Sequence, residues 1–127
     1  MTREQVRASL VYEVVKRYEG KGEAKEYGSM ALRFPALLRT AGLVQALAFV
    51  HSRGSDAHKK FVRDLAEVLL KLEDERSKLE GEAAYNEYFE NVRKAKLPQY
   101  LSMTREALAV ADWFKRFAQS VLKAEFE

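Results

Sequence analysis

The sequence predicts an all-α fold, a compact bundle of about six helices forming a single domain over residues 1–127. Three observations carry this. Apolar side chains recur at three- and four-residue spacing along nearly the whole chain, and no run of four or more positions alternates as a half-buried strand does. Only 2 Pro and 6 Gly punctuate 127 residues, too few for a sandwich of short strands or a disordered linker. A chain of this length corresponds to one domain that buries about two thirds of its extended surface, enough for a self-sufficient core.

Thr2 is placed to cap a first helix, with Gln5 three residues on as in a capping box. That helix is expected to reach about Glu19, with Val11, Val14, Val15 and Tyr18 on its inner side, and to stop at Gly20-Lys21-Gly22. A shorter helix from about Glu23 to Leu32 carries Tyr27, Met30 and Ala31. Pro35 closes that segment and opens the next, because proline suits a helix's first turn and disfavours helix just before itself. The third helix, about Pro35–Arg53, is apolar around most of its circumference (Leu37, Leu38, Leu43, Val44, Leu47, Phe49, Val50), so it is expected to be the buried central rod.

Gly54-Ser55-Asp56 marks a break and a new N-cap. The helix that follows buries Phe61, Leu65, Val68, Leu69 and Leu72, while Lys59, Arg63, Glu67, Lys71 and Glu75 form an i,i+4 ladder of alternating sign that reads as a solvated face. A fifth helix, about Glu82–Ala95, carries Tyr85, Tyr88, Phe89 and Val92. A sixth, about Gln99–Glu125, buries Leu101, Leu108, Ala111, Phe114, Phe117 and Val121. No repeat recurs at the period of a helical solenoid.

Composition excludes several classes of function. The chain has no cysteine, hence no disulfide scaffold, thiol nucleophile or cysteine-based metal site. Ala41–Val50, its longest apolar stretch, falls far short of the roughly 20 residues of a membrane span, and no secretory signal follows Met1. The reading is a cytoplasmic protein with no membrane partner. Net charge is +3, unevenly spread: residues 1–60 carry 11 basic and 6 acidic side chains, residues 61–127 carry 11 and 13. A mildly basic half is compatible with a polyanion-facing surface and equally with a charge-rich surface tuned for solubility.

Catalytic signals are absent. His51 and His58 lie seven apart but Gly54-Ser55 interrupts their helix, and the H-E-x-x-H pattern that gives zinc sites their specificity does not occur. Glu73, Asp74, Glu75, Glu80 and Glu82 are interleaved with Arg76 and Lys78, as a solvated face is, rather than set in an apolar pocket that would raise a carboxyl pKa. Neither a phosphate-cradling glycine motif nor a nucleophile elbow is found. The expectation is no enzyme, no metal and no cofactor. Tyr85, Tyr88 and Phe89 have the spacing of a base-stacking platform and equally of a core face, and the core reading is preferred.

Within Pro35–Arg53 one stripe is not built from large apolar groups. At 100° per residue Arg39, Ala46 and Arg53 fall within about 40° of one another, with the two arginines about 21 Å apart. An unpaired guanidinium is costly to bury. Either each arginine pairs with a carboxylate such as Glu67, or the stripe lies open and its small residues let a phosphate chain or another subunit approach.

The same region, Tyr27, Ala31 and Pro35, then Gly42-Leu43-x-Gln45-x-Leu47-Ala48-Phe49, then Ser52 and Arg53, resembles the small helical subunit of the Cmr-type (type III-B) CRISPR RNA-silencing complex. The detailed likeness covers Tyr27 to Arg53; one departure is Ala41, where the family pattern often has Asn. The resemblance implies a non-catalytic bead. A few copies stack into a short filament beside the backbone subunits that hold the guide RNA, the target RNA lies in the groove between, and cleavage belongs to the backbone subunit. The implied partners are the other complex subunits, guide and target RNA, and copies of the chain itself. Arg53 alone maps one to one onto a family RNA contact. Lys16, Arg17, Arg33, Arg39, Lys59 and Lys60 join it from the charge map. The competing expectation is a helical adaptor that docks a protein partner through an apolar face and has no nucleic-acid role.

Overall fold

A computed structural model describes residues 1–126 as six helices: α1 (Arg3–Lys16), α2 (Ala24–Ala41), α3 (Leu43–Arg53), α4 (Asp56–Glu73), α5 (Gly81–Lys94) and α6 (Leu97–Ser120). The all-α fold class predicted from periodicity is correct, and there is no strand among the described residues. The capping box of α1 is present as read: the Gln5 amide donates to Thr2 Oγ1 at 3.1 Å and the Thr2 amide to Gln5 Oε1 at 2.8 Å. Helix α1 stops at Lys16 rather than Glu19 because Arg17 and Tyr18 bond back three residues, in tighter turns that lead to Gly20 at φ 77°.

The segment expected as one rod, Pro35–Arg53, is instead two helices. Pro35 lies inside α2, and the break falls at Gly42, whose φ of 86° is open to glycine at little cost. Gly42 closes α2 by donating to the Leu38 carbonyl at 3.0 Å and starts α3 by accepting from the Ala46 amide at 2.9 Å. The Tyr100 hydroxyl on α6 accepts from the Val44 amide at 3.2 Å, satisfying one of the free N–H groups of the new helix. Pro35 is buried on α2, so its packing offsets the backbone bond it cannot donate.

Helix α4 takes the central place. It packs against all five other helices and buries 11 residues, from Ala57 to Leu72. Phe61 sits in the middle of the core, with Tyr27 and Phe34 of α2 at 5.7 and 5.2 Å and Phe114 of α6 at 5.1 Å between ring centroids. Because neighbours surround α4, its charged ladder is not uniformly solvated: Glu67 is 2% exposed, against the sequence reading. Two other positions go the opposite way, Phe49 and Leu101 being exposed rather than core. Tyr85 and Tyr88 are buried, as the core reading of that trio expects, with Phe89 half-buried beside them.

Helix α6 begins at Leu97, with Pro98 in its first turn where a missing N–H is harmless, and ends at Ser120, short of the expected Glu125. The chain then turns through Lys123 (φ 59°), and the Ala124 amide returns to the Ala118 carbonyl at 3.0 Å. This tail lies on α2 at Gly28, where a Cβ would come 2.9 Å from that of Ala124.

Candidate nucleic-acid interface

The proposed stripe does not exist. Arg39 is on α2 and Arg53 on α3, on either side of Gly42, and Ala46, expected between them, is fully buried in the core. The reason is the positive φ at Gly42, which resets the helical phase that the stripe assumed. Arg39 instead meets Asp112 of α6 at 3.8 Å, an exposed pair. Arg53 extends over the exposed Phe49 ring, 6.0 Å from its centroid.

The remaining candidates divide by what holds them. Arg17 donates to Glu67 at 3.2 Å, and Lys60 to Glu23 at 2.8 Å. Arg33 is exposed on α2 and donates to its own helix, to the Ser29 carbonyl at 3.3 Å. Lys16 lies 5.9 Å from the centroid of Tyr12. Lys59 is half-buried near the start of α4. Among the described residues, Lys16, Arg33, Arg53 and Lys59 have no carboxylate within ion-pair distance, whereas Arg17, Arg39 and Lys60 do. A cation already neutralised by a neighbour has less to offer a phosphate, so the first four form the stronger set.

Arg33 also lines a groove of about 1020 Å³ with Lys21, His58 and Lys123, between the start of α2 and the C-terminal tail. Burial, and then the Arg33 charge, push the His58 imidazole below its usual pKa. His51, in the last turn of α3, stacks on Tyr85 with centroids 4.0 Å apart and bonds Glu82 at 2.6 Å, which also receives Arg63 at 2.7 Å. These contacts tie α3, α4 and α5 together. No group of three or more histidines and carboxylates with metal-holding geometry occurs among the described residues, and no helix there is long and apolar enough to cross a membrane.

Two features were not legible in the sequence. One is a buried polar knot: Asp64 of α4, 7% exposed, accepts from the Tyr18 hydroxyl at 2.6 Å and the Tyr27 hydroxyl at 2.8 Å, and those two rings stack at 3.8 Å. Burial pushes the Asp64 carboxyl up to about 6 despite both hydrogen bonds, and both phenols are raised above their usual range, first by burial and then by the Asp64 charge. Glu67, one turn on, faces Arg17 and Lys71. The other is an aromatic row across α1 and α6. Tyr12 meets Phe117 edge-on at 5.4 Å, and Phe117 stacks on Trp113 at 5.4 Å. Its only sequence trace was the i,i+4 spacing of Tyr12 with Lys16 and of Trp113 with Phe117.

Comparison with known proteins then decides the family. The family model described as CRISPR-associated protein (Cas_Cmr5) matches residues 3–121, nearly the whole chain. The chain belongs to the Cmr5 family. Its similarity is not confined to Tyr27–Arg53. The CRISPR system Cmr subunit Cmr5 of Thermus thermophilus is 50% identical over 123 residues, covering 96% of this chain and 97% of that protein. The crystal structure of a CRISPR-associated Cmr5 family protein from the same organism superposes with a TM-score of 0.82 at 48% identity, covering 96% of this chain and 98% of that one. The resemblance read from Tyr27 to Arg53 was therefore sound as to family, although the helix carrying it is broken at Gly42.

Proposed function

We propose that this Cmr5-family chain is the small, non-catalytic, cytoplasmic subunit of a CRISPR RNA-guided RNA-targeting effector complex. It stacks with copies of itself in a short filament, beside other complex subunits, and contacts the backbone of guide or target RNA through basic side chains. The observation that carries the reading is the 50% identity, over nearly full length, to a relative named as a Cmr subunit. Support from the chain itself comes from Lys16, Arg33, Arg53 and Lys59, whose charges are not matched by carboxylates among the described residues. Arg17, Arg39 and Lys60 are secondary contacts, each requiring an existing ion pair to open.

Such contacts fix position rather than read sequence; guide pairing supplies specificity. The test is co-purification of the tagged chain from its host at moderate salt, with identification of bound proteins and RNA, alongside the charge-reversed variant Lys16→Glu/Arg33→Glu/Arg53→Glu. A multisubunit complex carrying repeat-derived guide RNA supports the reading, and the variant is expected to weaken RNA retention with a shallower dependence on salt. Recovery of one unrelated protein without RNA overturns it.

One observation favours the adaptor alternative. Leu97 and Leu101, on the first two turns of α6, are 68% and 47% exposed, an apolar edge suited to a protein partner. Unchanged partner capture by the triple variant, with no RNA in the wild-type sample, would favour that alternative.

A further inference from the structure

The aromatic row across α1 and α6 differs from every other ring cluster in the molecule. Tyr27, Phe34, Phe61 and Phe114 are fully buried, and the Tyr85 face is covered by His51 and Phe89. Tyr12, by contrast, is 39% exposed, and Trp113 and Phe117 are only partly buried. Each end of the row carries a cation over a ring: Lys16 Nζ lies 5.9 Å from the Tyr12 centroid, and Arg116 Cζ 6.0 Å from the Trp113 centroid. Neither cation has a carboxylate within ion-pair distance among the described residues. Asp112, one turn before Arg116, is engaged by Arg39. The row thus presents π-surface flanked by two unneutralised positive charges, which is complementary to a strand that alternates planar bases with phosphates.

We propose that Tyr12, Lys16, Trp113, Arg116 and Phe117 form a stacking site for unpaired bases of single-stranded RNA, with the rings taking bases and Lys16 and Arg116 taking the flanking phosphates. The proposal rests on the RNA-binding reading above and gives it a site of its own, outside the groove at Arg33. Aromatic stacking tolerates any base, because every base has a π-face, and cation–ring contacts hold the charged groups beside the strand before it arrives.

Trp113 is the chain's single tryptophan, so its emission reports on this row alone. The full chain is titrated with a short oligoadenylate RNA, single-stranded or annealed to its complement, while Trp113 emission and the anisotropy of end-labelled RNA are followed together. The expected result is quenching by the single strand that saturates with the anisotropy change, and little quenching by the duplex. Tyr12→Ala removes one stacking surface and weakens single-strand affinity by roughly 5- to 100-fold. Arg116→Gln leaves all three rings in place and lowers the log-affinity against log-salt slope by about 0.7. RNA binding without any Trp113 response, and unaffected by both variants, overturns this site while leaving the RNA reading intact. Absence of binding at millimolar RNA overturns the site, and the subunit reading is then judged on co-purification alone. Trp113 emission that changes with protein concentration and not with RNA makes the row a protein interface and also overturns the proposal.

Discussion

Two regions of this bundle hold the same kinds of side chain and put them to opposite use. In the knot between α2, α4 and the turn that follows α1, Tyr18 and Tyr27 stack face to face and both hydroxyls point at Asp64, with Arg17 and Glu67 closing the outer side. In the α1–α6 row, Tyr12, Trp113 and Phe117 meet each other, while Lys16 and Arg116 lie on ring faces rather than carboxylates. Both combine aromatic rings with charged groups, but the knot sets Arg17 against the carboxylates of Asp64 and Glu67 whereas the row has two cations and no carboxylate, so only in the knot are the polar atoms satisfied within the protein. A satisfied cluster determines how helices pack. A cluster with spare charge and open ring surface has something left to offer a ligand. Net charge alone conveys little about an interface, since it weighs Arg17, locked on Glu67, equally with Lys16.

The comparison breaks hardest if the interior is emptied. Phe61→Ala removes the ring that joins α2, α4 and α6 and is expected to cost about 3–5 kcal/mol, read as a lower urea midpoint at unchanged slope. Next in size is Tyr27→Phe, which deprives Asp64 of a donor in a buried setting and is expected to cost about 1–3 kcal/mol by the same measurement. Ionisation of Asp64 sharpens the contrast further. Its folded pKa of about 6 lies above the usual carboxylate value, so the folded state binds a proton the unfolded state releases. The stability this contributes is fully present below pH ~4 and is lost as pH rises through about 6, on the order of 3 kcal/mol. Stability measured against pH in Asp64→Asn is expected to lack that fall, and an unchanged profile would disprove the assignment.

Smaller effects are expected where polar atoms are unmatched or solvated. The Tyr88 hydroxyl is buried without a hydrogen-bond partner among the described residues, so Tyr88→Phe is expected to be neutral or to raise stability by up to about 1 kcal/mol. Arg39→Ala removes an exposed pair with Asp112 at 3.8 Å and is expected to change stability by about 0.5 kcal/mol or less. A large loss in either variant would mean that surface pairing and unpartnered hydroxyls matter more to this fold than the knot does.

Helix content was legible because one-sided apolar periodicity is a local property: Val11, Val14 and Val15, or Phe61, Leu65 and Leu69, announce their buried face without knowledge of a partner. Boundaries were less so. The apolar pattern continues without interruption from Leu38 through Leu43 to Leu47, and nothing in it reveals that Gly42 adopts a positive φ, or that Pro35 is absorbed into α2 by packing. Glu67 looked solvated because the ladder on α4 describes one helix, while the Arg17 that covers it comes from 50 residues earlier in the chain. The ion pairs that engage some of the candidate cations were hidden for the same reason. Which cations are free is decided by long-range pairing, as with Arg39 and Asp112 or Lys60 and Glu23, and no local pattern encodes it.

Gly42 has one more consequence. It is at once the C-cap of one helix and the N-cap of the next, so α2 and α3 are joined by a single residue with no slack between them. An inserted residue there has no loop to absorb it, and each extra helical residue turns whatever follows by about 100° and advances it about 1.5 Å. Leu43, Leu47 and Val50 would swing off the core together, and the bond from the Val44 amide to Tyr100 would be lost with them. The stretch Asp74–Glu80, an exposed connection between α4 and α5, has room to take up the same insertion. Length variation among functional versions of this chain should therefore accumulate in the second place and be almost absent from the first.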